Sequence, residues 1–181
     1  FDQKISIAAE ELNVFRLPGH EQANELVFVN GIFSSSLSTI RSDKQLIVMP
    51  LEKAANNEYR DIVSKHLGHS SNYLKDGINA LNTAFVQGGV FIYVKEKQIT
   101  PHPVYIYNIT DTRAGNIFSQ PRSLAYLGEN SQVQFVQTFV RIGSADGFTN
   151  EVMEIVVEKD ARLEYYKIQN EPSQGSSVST T

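Results

Sequence analysis

The chain has 181 residues, of which 41% are hydrophobic and 20% charged, enough for one globular domain, or a domain and a piece, with a core of its own. A formal net charge of −4 excludes non-specific binding to phosphate backbones, which needs concentrated Lys and Arg, so no nucleic acid is expected as a partner. No apolar run reaches the length of about 18 residues that a helical membrane span requires, and the lack of cysteine excludes disulfides, thiolate metal sites and a cysteine nucleophile.

The opening "FDQKISIAAEELNVF" has no basic start, apolar block or small-residue cleavage site of a secretory signal. Without an initiator Met, and with the uncharged ending "PSQGSSVSTT", the chain is expected to be a stretch of something longer. The absence of Cys fits a reducing compartment, and a cytoplasmic location is expected.

In chain order, "ELVFVNGIF" (Glu25–Phe33) is a β-rich run interrupted by Asn-Gly, the strongest short hairpin signal because both residues tolerate positive φ. "KQLIVMP" (Lys44–Pro50) is a short strand stopped by its proline. Next, Leu51, Ala55, Tyr59, Ile62, Val63 and Leu67 recur at helical spacing, which predicts one helix closed by Gly68 at its C′ position. A second, weaker helical segment is predicted over Tyr73–Ala84, and both helices are expected to pack over an end of the β-rich second half.

From Phe85 the helical period disappears. A Gly88-Gly89 turn leads into "VFIYV", then come "PHPVYIYNI", "SQVQFVQTFVRI", "NEVMEIVVEKD" and "RLEYYKIQN", separated by charged or Gly-containing corners. This half reads as all-β.

Two of these runs repeat one another. "LGENSQVQFVQTF" from Leu127 and "VEKDARLEYYKIQ" from Val157 match at an offset of 30 residues, with Asn130 over Asp160, Ser131 over Ala161, Val133 over Leu163 and Phe135 over Tyr165. A looser copy starts at Val94, and the extra residues around "TPHP" read as a loop insertion. A fixed period of this size is the signature of stacked turns, each bending where its neighbour bends. Asn130 and Asp160 suit a left-handed corner. Val133, Phe135, Leu163 and Tyr165 are expected inside, with Gln132, Gln134, Arg162 and Glu164 outside. The predicted fold is therefore mainly β, a partial parallel β-helix core over 85–181 behind an N-terminal α/β capping region over 1–84.

The segments "ELVFVNGIFSSSLS", "ALNTAFVQGGVFIYVKEKQITPHPVYIYNIT", "LGENSQVQFVQTFV" and "FTNEVMEIVVEKDARLEYYKIQNE", in that order from about Glu25 to Glu171, resemble the SufB/SufD family of iron–sulfur cluster assembly proteins, the SufD branch above all. The resemblance implies a right-handed parallel β-helix and a non-enzymatic scaffold role beside SufB-like and SufC-like subunits, the latter an ABC-type ATPase. A homodimer stays open. It covers only the N-terminal part of such proteins. The later coils that carry the family's functional His and Cys positions, and its C-terminal ATPase-docking segment, have no counterpart in this sequence.

The residues themselves offer little independent chemistry, and no catalytic, cofactor-binding or metal-ligating residue is assigned, nor any cofactor in this segment. His66 and His69 are three apart but straddle Gly68, with no carboxylate at helical spacing; His20 stands alone, and His102 is a corner between two prolines. Ser34-Ser35-Ser36 lacks a base at a recognisable spacing, and there is no phosphate-loop pattern. β-Helix enzymes that cleave polysaccharides need clustered acids or bases, which makes a polysaccharide-binding or -cleaving protein the alternative. Here Glu151, Glu154, Glu158, Arg162, Glu164 and Lys167 alternate in sign and read as a solvated face. Tyr93, Tyr105, Tyr107, Phe135, Phe139, Tyr165 and Tyr166 read as core and cross-strand pairs.

Overall fold

A computed structural model describes residues 7–69, 76–169 and 175–181. A single helical turn, α1 (Ala9–Leu12), precedes the first strand. The Asn-Gly step behaves as its chemistry requires: Asn30 and Gly31 have φ of 51° and 84°, and they turn β1 (Asn24–Val29) into the antiparallel β2 (Ile32–Phe33). A Cβ on Gly31 would stand 2.7 Å from the backbone nitrogen of Gln120, so packing as well as φ requires glycine there. β3 (Leu46–Pro50) ends on its proline and passes directly into α2 (Leu51–Ala55).

The single helix expected over 51–67 is two helices, α2 and α3 (Arg60–His66). Asn56 and Asn57 break it. Asn56 Nδ2 donates to the Glu52 carbonyl at 2.8 Å, and the Asn57 side chain accepts the Tyr59 N–H at 3.0 Å, so both amides compete with the helical ladder. Gly68 is left-handed, at φ 79°. The second helix, α4, covers Gly77–Phe85; the start predicted at Tyr73 lies outside the described residues. Asp76 caps it, accepting the N–H groups of Ile78 and Asn79.

The remaining strands are β4 (Val90–Val94), β5 (Val104–Asp111), β6 (Ile117–Ser119), β7 (Arg122–Leu127), β8 (Gln132–Ile142), β9 (Gly147–Val157), β10 (Arg162–Gln169) and β11 (Ser176–Thr180). The strands form two sheets, one in the order β10-β8-β5-β1-β2, the other β11-β9-β7-β4-β3 with β6 also on β9. Pairing is parallel throughout except for β1 with β2 and β3 with β4.

The repeat is a physical stack. Leu163 pairs with Val133 and Tyr165 with Phe135, in parallel register. On the other sheet Val94 pairs with Leu127, and Leu127 with Val157. Three residues beyond each of those positions stand Lys97, Asn130 and Asp160, with φ of 58°, 58° and 56°. The corners are hydrogen-bonded one onto the next: the Lys97 N–H donates to the Glu129 carbonyl at 2.8 Å and the Asn130 N–H to the Lys159 carbonyl at 3.0 Å. A Cβ on Gly128 would lie 2.7 Å from the Glu96 nitrogen, so this rung can approach only as glycine. Val94 and Leu127 are 33 positions apart, whereas Val104 and its partner Phe135 are 31 apart. The two extra residues therefore fall in the corner holding "TPHP".

The main core lies between the sheets. Leu26, Phe28, Ile92, Ile106, Leu127, Val133, Phe135 and Met153 belong to it, with Leu163 and Tyr165 packed against it. Full burial of such side chains contributes roughly 1.5–3 kcal/mol each. The outer face of the first sheet is covered by the N-terminal segment through Ile7, Leu12 and Leu17, against Val27, Tyr107 and Ile109. Helices α2 and α3 cover the outer face of the second sheet, where Leu51, Ala54 and Val63 meet Phe91 and Leu124. They lie on a face and not over an end, because the outward residues of β4 and β7 are themselves apolar and aromatic. No helix among the described residues is long and apolar enough to cross a membrane.

Candidate functional site

The histidines are dispersed. His20 faces Glu21 and Glu25; His66 closes α3 with its ring 5.7 Å from Tyr126; the His102 carbonyl accepts from Asn24 in its proline corner. Among the described residues, no three His, Asp or Glu side chains converge to hold a metal ion. The Ser34 hydroxyl lies 3.2 Å from that of Ser36, its carbonyl accepts from the Ser38 hydroxyl, and its N–H donates to the Val27 carbonyl of β1.

The alternating charges divide into two groups. Glu158, Arg162 and Glu164 are solvated or half-solvated: Glu164 accepts from Gln134 at 3.0 Å and Glu158 from the Tyr126 hydroxyl at 2.8 Å. Glu151 and Glu154, expected on the same wet face, are buried at 1% and 4% exposure. Other elements cover them, β11 in one case and the α3–α4 layer in the other, and periodicity along β9 cannot report that.

Glu154 forms a buried ion pair with Arg122, a residue that no motif or period in the sequence marks. Its two carboxylate oxygens also accept the Gly68 N–H, at 2.9 and 3.0 Å, so the C-terminal end of α3 is fastened to the sheet. Arg122 reaches Asn82 and Thr83 on α4 at 3.2 and 3.3 Å. Asn82 in turn donates to the Pro121 and Asn150 carbonyls, at 3.0 and 2.7 Å. One guanidinium thus ties both helices to β7 and β9.

Glu151 faces the interior at the last rung. Ser179 of β11 donates its hydroxyl to Oε2, and the Lys167 ammonium of β10 stands 4.0 Å from the same oxygen. Lys167 also donates to Ser179 and, at 3.0 Å, to Thr181. Burial pushes the Glu151 carboxyl above its ordinary value of 4.5, against the opposing pull of Ser179, Gln137, Lys167 and Arg122. Tyr165 donates to Gln137, and burial raises its phenol to about 12. Polar groups from β8, β9, β10 and β11 therefore meet where both sheets reach their outermost rung.

That rung is the candidate interaction surface. Among the described residues β10 and β11 each have a strand on one side only, and the outward face of β10 exposes Tyr166 and Ile168. A sheet edge of this kind is a template for further pairing. A separate cavity of about 430 Å³ lies beside β6, walled by the edge-on pair Phe85 and Phe118 and by Asn30, Gln87 and Gln120.

These features define a protein of stacked parallel strands fastened by buried polar ties. The model of the SufBD protein N-terminal region matches residues 3–106, and that of the SUF system FeS cluster assembly SufBD core domain matches residues 109–181. The chain belongs to the SufBD family of the SUF iron–sulfur cluster assembly system, and it resembles the N-terminal part of SufD. An iron-sulfur cluster assembly SufBD family protein of Synechocystis is 23% identical over 186 residues, covering 98% of this chain and 41% of that one. The iron-sulfur cluster assembly protein SufD of Bacillus subtilis is 30% identical over 146 residues, covering 75% of this chain and 31% of the relative. A SufBD family protein of Pyrococcus horikoshii is 28% identical over 94 residues, 52% of this chain and 20% of its own. The chain spans less than half the length of these curated relatives.

Proposed function

We propose that this chain is the N-terminal part of a non-enzymatic scaffold subunit, SufD-like, in a cytoplasmic SUF-type complex with SufB-like and SufC-like partners. Its strands wind as a right-handed parallel β-helix, and further coils stack on β10 and β11. The cluster is cargo, and this segment holds no cofactor of its own. The observation that carries this reading is that the two family models together run from residue 3 to 181 over a chain whose corners and strands stack rung on rung. Mechanically, the stack is a stiff rod: each corner bonds to the next, and the helices are tied down by buried ion pairing, so a load applied at one end is carried along the axis. The test is co-purification of the full-length protein with SufB-like and SufC-like subunits. A stable complex is expected, and failure to associate at micromolar concentration would overturn the assignment.

A further inference from the structure

Neither the stack nor its buried ties account for the cavity of about 430 Å³ beside β6. The β1–β2 turn, the end of α4, the linker after it and β6 wall it in, and its volume lies within the ~300–1,000 Å³ range of small-molecule sites. Phe85 meets Phe118 edge-on at 5.7 Å, and Phe118 stacks on Phe148 at 5.8 Å, so two neighbours fix the Phe118 ring. Phe85 and Phe118 nevertheless stay 55% and 42% exposed. Two rings therefore offer apolar surface at this cavity that the described residues do not cover.

The amides of the wall are oriented by chemistry. Asn30 accepts the Asp111 N–H at 2.8 Å, and Asn116 accepts the Asp146 N–H at 3.2 Å. A backbone N–H can only donate, so each contact is made by the amide oxygen. Asn150 Nδ2 donates to the Ile78 carbonyl at 2.8 Å, which fixes it as the nitrogen, and the same atom donates to Gln120 Oε1 at 3.0 Å. Gln120 is 4% exposed, and its Nε2 has no hydrogen-bond partner among the described residues. A buried donor of this kind is seldom left unmet in a folded protein. In all three amides the protein takes up the acceptor, so what these walls still offer is donors.

A guest that suits such walls brings a ring and an acceptor. No lining residue among those described is ionisable, so a charged guest would lose its hydration without gaining a counter-charge. Water alone would answer Gln120 and leave both rings unmet. We infer that the cavity is a binding site for a small uncharged aromatic compound with a carbonyl or ring-oxygen acceptor. Its ring packs on Phe85 and Phe118, and its acceptor takes the hydrogen of Gln120 Nε2. The site uses no residue of β10 or β11, so it stands or falls separately from the assembly role proposed above.

The test uses the full-length protein and three probes: coumarin, which is neutral and carries only acceptors; naphthalene, which carries none; and naphthoate, which is charged. Titrations followed by ligand-observed NMR are expected to show saturable coumarin binding. Naphthalene is expected to bind about three- to tenfold more weakly for want of one hydrogen bond, and naphthoate more weakly than coumarin. A crystal soaked in coumarin is expected to place its carbonyl within ~2.7–3.2 Å of Gln120 Nε2. Gln120→Leu should lower the coumarin affinity to that of naphthalene and leave naphthalene unchanged, whereas Phe118→Ala should weaken both. No saturable coumarin binding, binding at crystal concentration only, coumarin no tighter than naphthalene, or naphthoate tightest of the three would each overturn the inference. So would a crystal structure in which the protein's own residues fill the space. Should Gln120→Leu not fold, the soaked crystal and Phe118→Ala, a change at an exposed ring, decide the matter.

Discussion

The Arg122–Glu154 pair offers the sharpest test of how the helices are held. Both side chains are 3% exposed, so each charge depends on the other and on a few fixed dipoles. Arg122→Met removes the guanidinium and leaves Glu154 buried with the Gly68 N–H as its fixed donor from α3. Breaking a buried pair from one side costs about 3–5 kcal/mol, because the surviving charge is uncompensated. For a chain of this size each kcal/mol lowers the melting temperature by about 2–4 °C, so a fall of roughly 6–20 °C is expected. Glu154→Leu is expected to fall in the same range. The double variant Arg122→Met/Glu154→Leu carries neither charge, and it should recover most of the loss, keeping only the cost of the bonds to Asn82, Thr83 and Gly68. Thermal and urea melts followed by circular dichroism measure all four corners of the cycle. If each single change cost less than about 1 kcal/mol, the figure for an exposed pair, the burial argument would fail. If the double change cost as much as the two singles together, the coupling would be refuted.

The same geometry sets three further outcomes. Asn130→Gly should be nearly neutral and Asn130→Val should cost about 1–2 kcal/mol in urea melts, since φ of 58° suits glycine and punishes a β-branched side chain; equal stabilities would remove the left-handed corner as a determinant. Because burial holds the Glu151 carboxyl above 4.5, the folded state keeps its proton to higher pH than the unfolded state, so stability falls as pH rises through that window, by about 1.4 kcal/mol per unit of elevation. Glu151→Gln should therefore flatten the fall between acid and neutral pH, and an unchanged pH profile of the melting temperature would contradict the shift. Finally, Tyr166→Lys/Ile168→Lys on the exposed face of β10 should reduce self-association of the isolated chain in light scattering, while moving its stability by less than about 0.5 kcal/mol.

Much of the strand half was legible because stacking imposes constraints that show in the residues. A corner that must turn left-handed selects Asn130 and Asp160, and an inward column selects Val133, Phe135, Leu163 and Tyr165. Lys97 takes the same φ with a residue that has no such preference, so the third corner was visible only as a looser repeat. β7 was hidden because Arg122 and Ser123, polar residues in "RSLAYL", sit buried in a strand. β11 was hidden because "SSVST" carries almost no apolar signal; its place comes from parallel pairing with β9. The helix break at Asn56-Asn57 was readable in principle, since adjacent asparagines are poor helix residues, but the apolar period runs straight through them.

The charged residues of β9 show where a one-dimensional pattern stops being informative. Along a strand the period of two says only that Glu151 and Glu154 point to opposite faces, and alternation with lysine and arginine makes either face look wet. Both faces of this sheet are in fact covered, one by the opposite sheet and one by α2 and α3, with α4 against β9. A carboxylate on either side then needs a built partner, and the chain supplies Arg122 and Gly68 for the outer one, Ser179 and Lys167 for the inner one. The outer partners come from β7, one rung back, and from the end of α3. The inner partners come from β10 and β11, which follow β9 in the chain. Each buried glutamate is thus held by donors from strands or helices far from it in sequence, which is why its burial could not be read along β9.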